Sequence, residues 1–273
     1  MSQTGAMSVR DLAADQECVL PKVSKDHLGE RPPARTVYWN FISNAALLRV
    51  LALATAALLA VALWMALFYA PREMMTEVTL VMGDAQRIFY FHVPSAWIGF
   101  LAFFVVFIAS LLFLRTRQWR WDALALASAE IGVVFTTLVL LTGPLWAKVV
   151  WGVFWVWDAR LTTTLILWLI YVAYLMLRSS AEGERRQRFA AVLGIVGFLD
   201  VPLIYLSVSW WRTMHPGYVA TEPGGLAPQM AQTLMVALAS FTFLFALLLV
   251  TRLRLEQARD RLNVLRAESE GDR

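Results

Sequence analysis

The chain contains little cysteine and little charge, and each scarcity excludes a class of protein. Its 273 residues include one cysteine, Cys18, so an intrachain disulfide framework is excluded. Charged residues account for 16% of the sequence and hydrophobic residues for 59%, with a mean hydropathy of +0.59. A water-soluble domain cannot hide that much apolar surface, because its surface-to-volume ratio leaves too much of it wet. The composition therefore predicts an integral membrane protein.

Six apolar runs are long enough to cross a membrane, for which a helix needs roughly 20 residues. They are Val50–Ala70, Val93–Leu114, Ala123–Leu145, Leu161–Leu177, Phe189–Trp211 and Thr233–Thr251. Each is expected to be a helix, since an open sheet cannot satisfy its backbone hydrogen bonds in lipid. The expected fold is an all-α membrane protein with six transmembrane helices over residues 45–251. A polar N-terminal tail (residues 1–44) and a helical C-terminal tail (residues 252–273) are expected to flank it.

The basic residues are divided unevenly between the two sides of this predicted membrane domain. Nineteen of the 24 Lys and Arg residues fall on the side of the two termini, and five fall in the opposite loops. Such an excess marks the cytoplasmic side of a membrane protein. Both termini are therefore predicted to be cytoplasmic. The net charge of +4 reflects these loops, and no RNA or DNA motif accompanies it, so nucleic acid is not an expected partner.

Tryptophan is abundant, and it is concentrated between the third and fourth spans, on the outer side. Residues 146–162 read WAKVVWGVFWVWDARLT, and we call residues 146–158 the tryptophan stretch. Four of the 12 tryptophans lie in it: Trp146, Trp151, Trp155 and Trp157. Two interpretations are open. The stretch is an aromatic belt of the kind found at membrane interfaces, or it is a platform of rigid aromatic faces that holds a large, flat, apolar ligand.

The predicted conformation of the tryptophan stretch is a short helix lying in the plane of the membrane interface. On such a helix Trp151, Phe154, Trp155 and Asp158 share one face, at positions i, i+3, i+4 and i+7. Asp158 directly precedes the fourth span, so it is also predicted to cap the N-terminus of that helix.

Histidine is rare, yet two of the three histidines lie on the same outer side as the tryptophan stretch. His92, in YFHVPSAW, precedes the second span, and Pro94 is predicted in the first turn of that helix. His215, in SWWRTMHPG, follows the fifth span, whereas His27 lies in the N-terminal tail. A single histidine at a helix end is usually a structural hydrogen-bonding group. A pair of neutral imidazoles at one depth is a common axial ligand set for haem iron.

Haem accounts for the histidine pair and the aromatic residues together. Zinc requires three or four nitrogen or sulfur ligands, and the outer side offers no cysteine. Haem is flat and apolar on its faces and has anionic propionates at one edge, which basic side chains can bind. The basic candidates on that side are Arg87, Lys148, Arg160 and Arg212. The predicted haem site consists of His92, His215, the four tryptophans and Asp158.

Two rival functions also arise from the sequence. Glu130 and Asp200 are ionisable residues inside apolar spans, where such residues normally face the bundle interior. They suggest a proton-coupled membrane transporter, although the two halves of the chain show no internal symmetry of the kind that transporters often have. The alternative for Glu130 is a position near the cytoplasmic interface. A b-type cytochrome or haem lyase is a third possibility, but b-type cytochromes usually place their ligands within helices at bilayer depth.

The stretch WAKVVWGVFWVWDARLT resembles the "WWD" signature of the haem-handling proteins of cytochrome c maturation, the CcmC/CcmF/CcsA family. The segments YFHVPSAW, LTGPLWAKVVWG and LIYLSVSWWRTMHPG are similar to the CcmC, or haem exporter protein C, branch in particular. The resemblance runs from about Val50 to Val250. Phe154 departs from it, since a tryptophan is common there in the family motif.

The resemblance implies a multi-pass protein of the bacterial inner membrane that is not itself an enzyme. It implies that haem b is bound transiently, as cargo, on the periplasmic side, with His92 and His215 as axial ligands and the tryptophan stretch around it. It implies transfer of that haem to the periplasmic chaperone CcmE. The implied partners in the membrane are the ATP-binding-cassette subunits CcmA and CcmB and the small subunit CcmD.

Overall fold

The computed structural model describes residues 44–71, 83–180, 184–211, 213, 215 and 226–271. Over these residues the chain is mostly helical and contains no strand. The predicted N-terminal tail, with Cys18 and His27, lies outside the described residues except for Asn44. The α-helices are α1 (Ala45–Trp64), α2 (Phe89–Thr116), α3 (Trp119–Trp151), α4 (Ala159–Ser180), α5 (Glu184–Phe198), α6 (Asp200–Trp210) and α7 (Pro228–Gly271).

Six helical stretches are long and apolar enough to cross a membrane, which confirms the predicted all-α, six-span fold. Five spans correspond to α1, α2, α3, α4 and α7, and the sixth combines α5 with α6. A π-helical turn, Met65–Tyr69, extends α1, and a 3₁₀ turn, Gly83–Ile88, leads into α2. Helix α7 continues without interruption to Gly271, so residues 252–271 extend the last span.

The fifth predicted span, Phe189–Trp211, is not one continuous helix. It is divided at Leu199 into α5 and α6. Pro202 explains the division, because it has no N–H to donate to the Phe198 carbonyl and its ring collides with that carbonyl in a regular helix. Asp200 therefore begins α6, and its Oδ2 is buried with no hydrogen-bond partner in the described part of the chain.

The start of the second span also differs from the prediction. Pro94 was expected in the first turn, but α2 begins at Phe89, so His92 lies inside the helix and Pro94 in its second turn. The helix starts earlier because Phe89 and Tyr90 are buried against residues of α1 and α7. The sequence did carry a signal for this earlier start, since residues 88–91 (IFYF) are apolar or aromatic and only His92 separates them from the predicted run.

Helix α2 lies at the centre of the packing and contacts α3, α5 and α7. Small residues allow α2 and α3 to approach closely, as is usual between membrane helices. A Cβ atom on Gly132 would lie 2.5 Å from a ring carbon of Phe103, and one on Gly99 would lie 2.9 Å from the Thr136 hydroxyl. The Phe103 ring in turn stacks on Tyr171 of α4, with ring centroids 3.7 Å apart.

Two ion pairs connect helices toward the end of the bundle opposite the tryptophan stretch. Arg178 of α4 donates two hydrogen bonds to the Asp122 carboxylate of α3, and both side chains are buried. Arg252 of α7 pairs with Glu130 of α3 through two nitrogens, one of them 3.0 Å from Oε1. Glu130 therefore stabilises the contact between α3 and α7, which accounts for its charge without a proton relay.

Candidate functional site

The candidate site lies at the end of the bundle where α2 and α4 begin and α3 and α6 end. The tryptophan stretch connects α3 to α4 at this end. His92 belongs to the first turn of α2, and His215 follows α6. Aromatic and apolar residues of α1, α2, α3 and α7 pack behind it, including Trp146 against Phe89, with ring centroids 6.1 Å apart.

The tryptophan stretch is not the interfacial helix that the sequence predicted. Helix α3 extends to Trp151 and ends there because Gly152 adopts a left-handed conformation, with φ of 77°. Its N–H donates to the Lys148 carbonyl at 3.2 Å, a common way to terminate a helix. Residues 152–158 are not helical, so Phe154, Trp155 and Asp158 do not share a helical face with Trp151.

His92 is held between α2 and α3 and is only 8% exposed. Its Nδ1 lies 2.8 Å from Oγ1 of Thr142 in α3. The Trp146 ring meets the imidazole edge-on, with centroids 5.9 Å apart. Gly143 leaves room for the imidazole, since a Cβ there would lie 3.3 Å from Cε1. Three neighbouring residues of α3 therefore fix the position of this ring.

His215 is held from the other side of the site through Asp158. The backbone N–H of His215 donates to Thr213 Oγ1 at 3.1 Å, and the Thr213 hydroxyl donates to Asp158 Oδ2. Asp158 Oδ1 accepts the backbone N–H of Leu161 at 2.8 Å, which confirms that Asp158 caps α4. The Trp151 ring meets the His215 ring edge-on, with centroids 6.5 Å apart.

The fold brings the two histidines to the same end of the bundle although they are far apart in the sequence, because Trp146 contacts His92 and Trp151, five residues later in α3, contacts His215. Arg160 lies in the first turn of α4, at the same end of the bundle. Two other basic candidates have identified partners: Arg87 pairs with Asp84 at 3.2 Å, and Lys148 donates to the Gly152 carbonyl at 2.7 Å. Arg212 lies outside the described residues.

The four tryptophans divide into two pairs. Trp146 and Trp151 contact His92 and His215 respectively. Trp155 and Trp157 contact each other, with centroids 5.6 Å apart, and Trp157 is 76% exposed. The indole N–H groups of Trp146 and Trp155 are buried and have no acceptor among the described residues. The structure thus joins the first pair to the histidines, whereas in the second pair Trp157 is exposed and Trp155 has a buried N–H.

Two residues in contact with the histidines were not predicted from the sequence, namely Thr142 and Thr213. Thr213 had a local signal, since a threonine hydroxyl commonly accepts a backbone N–H two residues later. Thr142 had none, because its contact with His92 joins two helices. Among the described residues, no group of three or more His, Cys, Asp or Glu side chains could hold a metal ion.

These features define a class: a multi-pass, all-helical membrane protein with an aromatic and imidazole site at one end of its bundle. Comparison with known protein families narrows this structural class to one family. The profile of the family CcmC, "Heme exporter protein C", matches residues 34–268, so the chain belongs to the CcmC family, as its motifs predicted.

Individual relatives agree with this membership. The chain is 39% identical over 225 residues to Heme exporter protein C of Bradyrhizobium diazoefficiens, covering 81% of this chain and 83% of the relative. It is 35% identical over 173 residues to the protein of the same name from Escherichia coli strain K12, covering 63% of this chain and 70% of the relative. The protein of that name from Haemophilus influenzae is 35% identical over 177 residues, which is 64% of this chain.

Proposed function

We propose that this protein binds haem between His92 and His215 on the periplasmic side of the bacterial inner membrane and presents it to the chaperone CcmE during cytochrome c maturation. One observation carries the proposal. Two histidines from separate parts of the chain lie at one end of the bundle, and a tryptophan from the last turns of α3 contacts each of them. Family membership supports haem as the ligand.

The chemistry of the site fits haem. Two imidazoles supply the axial donors that haem iron commonly takes. The buried indole N–H groups of Trp146 and Trp155 are donors without a protein acceptor in the described residues, and a polar atom of the ligand would relieve the cost of leaving them unpaired. Arg160, in the first turn of α4 at the same end of the bundle, would supply positive charge for an anionic ligand edge.

The two histidines differ in how firmly they are held, and this difference suggests how haem is released. His92 is buried within α2 and supported by α3, whereas His215 lies on non-helical backbone after α6 and is held through Thr213 and Asp158. We assign His92 as the permanent anchor and His215 as the ligand that is withdrawn when haem is transferred. The protein itself performs no turnover in this scheme.

The charge distribution supports the orientation of the protein in the membrane, and family membership supports its partners. The polar tail (residues 1–44) and the C-terminal extension (residues 252–273) lie in the cytoplasm, because the basic residues are concentrated on that side. The membrane partners are CcmA, CcmB and CcmD, and the haem b is cargo. The pairing of Glu130 with Arg252 removes one of the two acids on which the transporter alternative depends.

Haem transfer tests the proposal directly. CcmE is expressed in cells that lack their own CcmC, with or without this protein, and covalent haem on CcmE is measured by haem staining after denaturing electrophoresis. We expect loading only when this protein is present. Equal loading in its absence would contradict the proposal.

Replacing Asp158 or Thr213 tests how His215 is held. Asp158→Ser retains an N-cap for α4 but is too short to bond Thr213, and Thr213→Val removes only the hydroxyl. We expect each variant to weaken haem binding about tenfold, in the range found for residues that orient a metal ligand. The double variant should be no weaker than either single one, because both changes break the same connection.

The haem affinity of each purified variant is measured by titration with haem, monitored by visible absorption. Thr163→Val is the matched control, since the Thr163 hydroxyl bonds backbone carbonyls of the same helix, including that of Ala159 at 2.7 Å. Wild-type affinity in Thr213→Val would show that this connection does not position His215.

A further inference from the structure

The hydroxyl of Thr142 contacts two groups, and together these contacts determine which nitrogen of His92 carries the proton. Thr142 Oγ1 lies 2.8 Å from Nδ1 of His92. It also lies 2.7 Å from the backbone carbonyl oxygen of Leu138, one turn earlier in α3. Both distances are those of hydrogen bonds.

A hydroxyl has one proton to donate, and a carbonyl oxygen can only accept. The contact with Leu138 therefore requires the Thr142 proton. Oγ1 has only lone pairs left for His92, so Nδ1 must be the donor and must carry the imidazole proton. In the neutral ring the other nitrogen, Nε2, is then unprotonated and presents its lone pair.

Two other threonines of the bundle have the same geometry, and in both the ring partner is an indole N–H, which can only donate. Thr137 Oγ1 donates to the Val133 carbonyl at 2.8 Å and accepts from Trp168 Nε1 at 2.8 Å. Thr242 Oγ1 donates to the Leu238 carbonyl at 2.7 Å and accepts from Trp97 Nε1 at 3.1 Å. An indole nitrogen can only donate. A threonine that bonds the carbonyl one turn back therefore serves as an acceptor for a ring N–H in this protein.

We propose that Thr142 is a positioning residue that holds His92 as the Nδ1–H tautomer and so makes Nε2 the nitrogen that binds haem iron. The part of this statement that concerns iron rests on the proposed function, whereas the tautomer does not. Metal-binding histidines generally donate their second ring N–H to a neighbouring acceptor, which fixes the ring and raises its basicity as a ligand. Gly143, whose missing side chain leaves room at Cε1, allows the ring to take this orientation.

The tautomer is measured without haem. Protein labelled with nitrogen-15 at histidine is studied by NMR in detergent at a pH where the imidazoles are neutral, and the His92 signals are identified by their loss in His92→Gln. We expect protonated Nδ1 and unprotonated Nε2 in the wild type and in Thr142→Ser. In Thr142→Val the nitrogen-15 chemical shifts of His92 should indicate a mixture of the two tautomers. A wild-type His92 with its proton on Nε2 would overturn the proposal.

The consequence for binding is measured by haem titration of the same variants. Thr142→Val should bind haem about 10- to 100-fold more weakly, as for other residues that orient a metal ligand, and Thr142→Ser should bind like the wild type. Thr242→Val is the matched control, because it removes the same kind of hydroxyl contact from α7, and it should not change binding. Size-exclusion elution and circular dichroism establish that each variant is folded.

The outcomes separate this inference from the proposed function. Wild-type affinity in Thr142→Val, with haem bound normally by the wild type, would overturn the positioning role and leave the haem site intact. A wild type with the expected tautomer that binds no haem would overturn the haem site and leave the assignment of the His92 proton standing.

Discussion

Purified protein in which His92 is replaced by alanine should lose haem affinity by at least about 100-fold, more than is typical when only a supporting residue is removed. The reason is the position of His92, which is buried in α2 and fixed by Thr142 and Trp146. No other histidine is available in α2 or α3 to replace it. Haem affinity is measured by titration with haem, monitored by visible absorption. Circular dichroism establishes that the variant is folded.

His215→Ala should also weaken binding, but less strongly. It removes the ligand that we assign to release and leaves the anchored His92 in place. The residual complex should show a high-spin spectrum, because one axial position has lost its nitrogen ligand. His27→Ala is the matched control, since it changes the third histidine, which lies in the N-terminal tail. Equal affinities in His92→Ala and His27→Ala would contradict the role of His92 as the anchor.

Removing Arg178 should destabilise the fold by about 3–5 kcal/mol, the usual cost of breaking a buried ion pair. Arg178→Leu leaves the Asp122 carboxylate uncompensated, and Asp122 is only 4% exposed. The change also removes a contact between α3 and α4, the two helices that the tryptophan stretch joins at the other end. The denaturation midpoint of purified protein in mixed detergent micelles measures the effect.

Two further variants test whether the unpaired Asp122 carboxylate causes the loss of stability in Arg178→Leu. Asp122→Leu combined with Arg178→Leu should recover much of the lost stability, since no unpaired charge is left in the interior. Arg259→Leu is the control, because Arg259 is 70% exposed and lies 3.9 Å from Glu256, a surface pair worth about 0–1 kcal/mol. A midpoint for Arg178→Leu as high as that of Arg259→Leu would show that the buried pair contributes little.

The sequence predicted the parts of the fold that depend on local chemistry. Six spans were recognisable because a helix needs a fixed length of apolar residues to cross lipid. Asp158 was recognisable as a cap because capping acts over three residues. The division of the fifth span at Leu199 also had a visible cause in Pro202, but the apolar run across it concealed the consequence.

The candidate site was predicted less completely, for physical reasons. The helical prediction for the tryptophan stretch was wrong because it counted aromatic spacing and gave no weight to Gly152, whose left-handed conformation ends α3. The contact of Thr142 with His92 joins residues 50 positions apart, and no periodicity within one helix encodes such a contact. The sequence therefore named Trp146 and Asp158, which lie beside the candidate ligands, but not Thr142, whose contact with His92 depends on how two helices pack.

The visible absorption spectrum of the detergent-purified wild-type protein after addition of haem tests the central claim most directly. Two imidazole ligands predict a Soret band and a low-spin, six-coordinate spectrum, with one haem bound per chain. A protein that remains colourless when haem is added would contradict the account. The tryptophan stretch would then be an aromatic belt at the membrane interface, and the histidine pair would be structural.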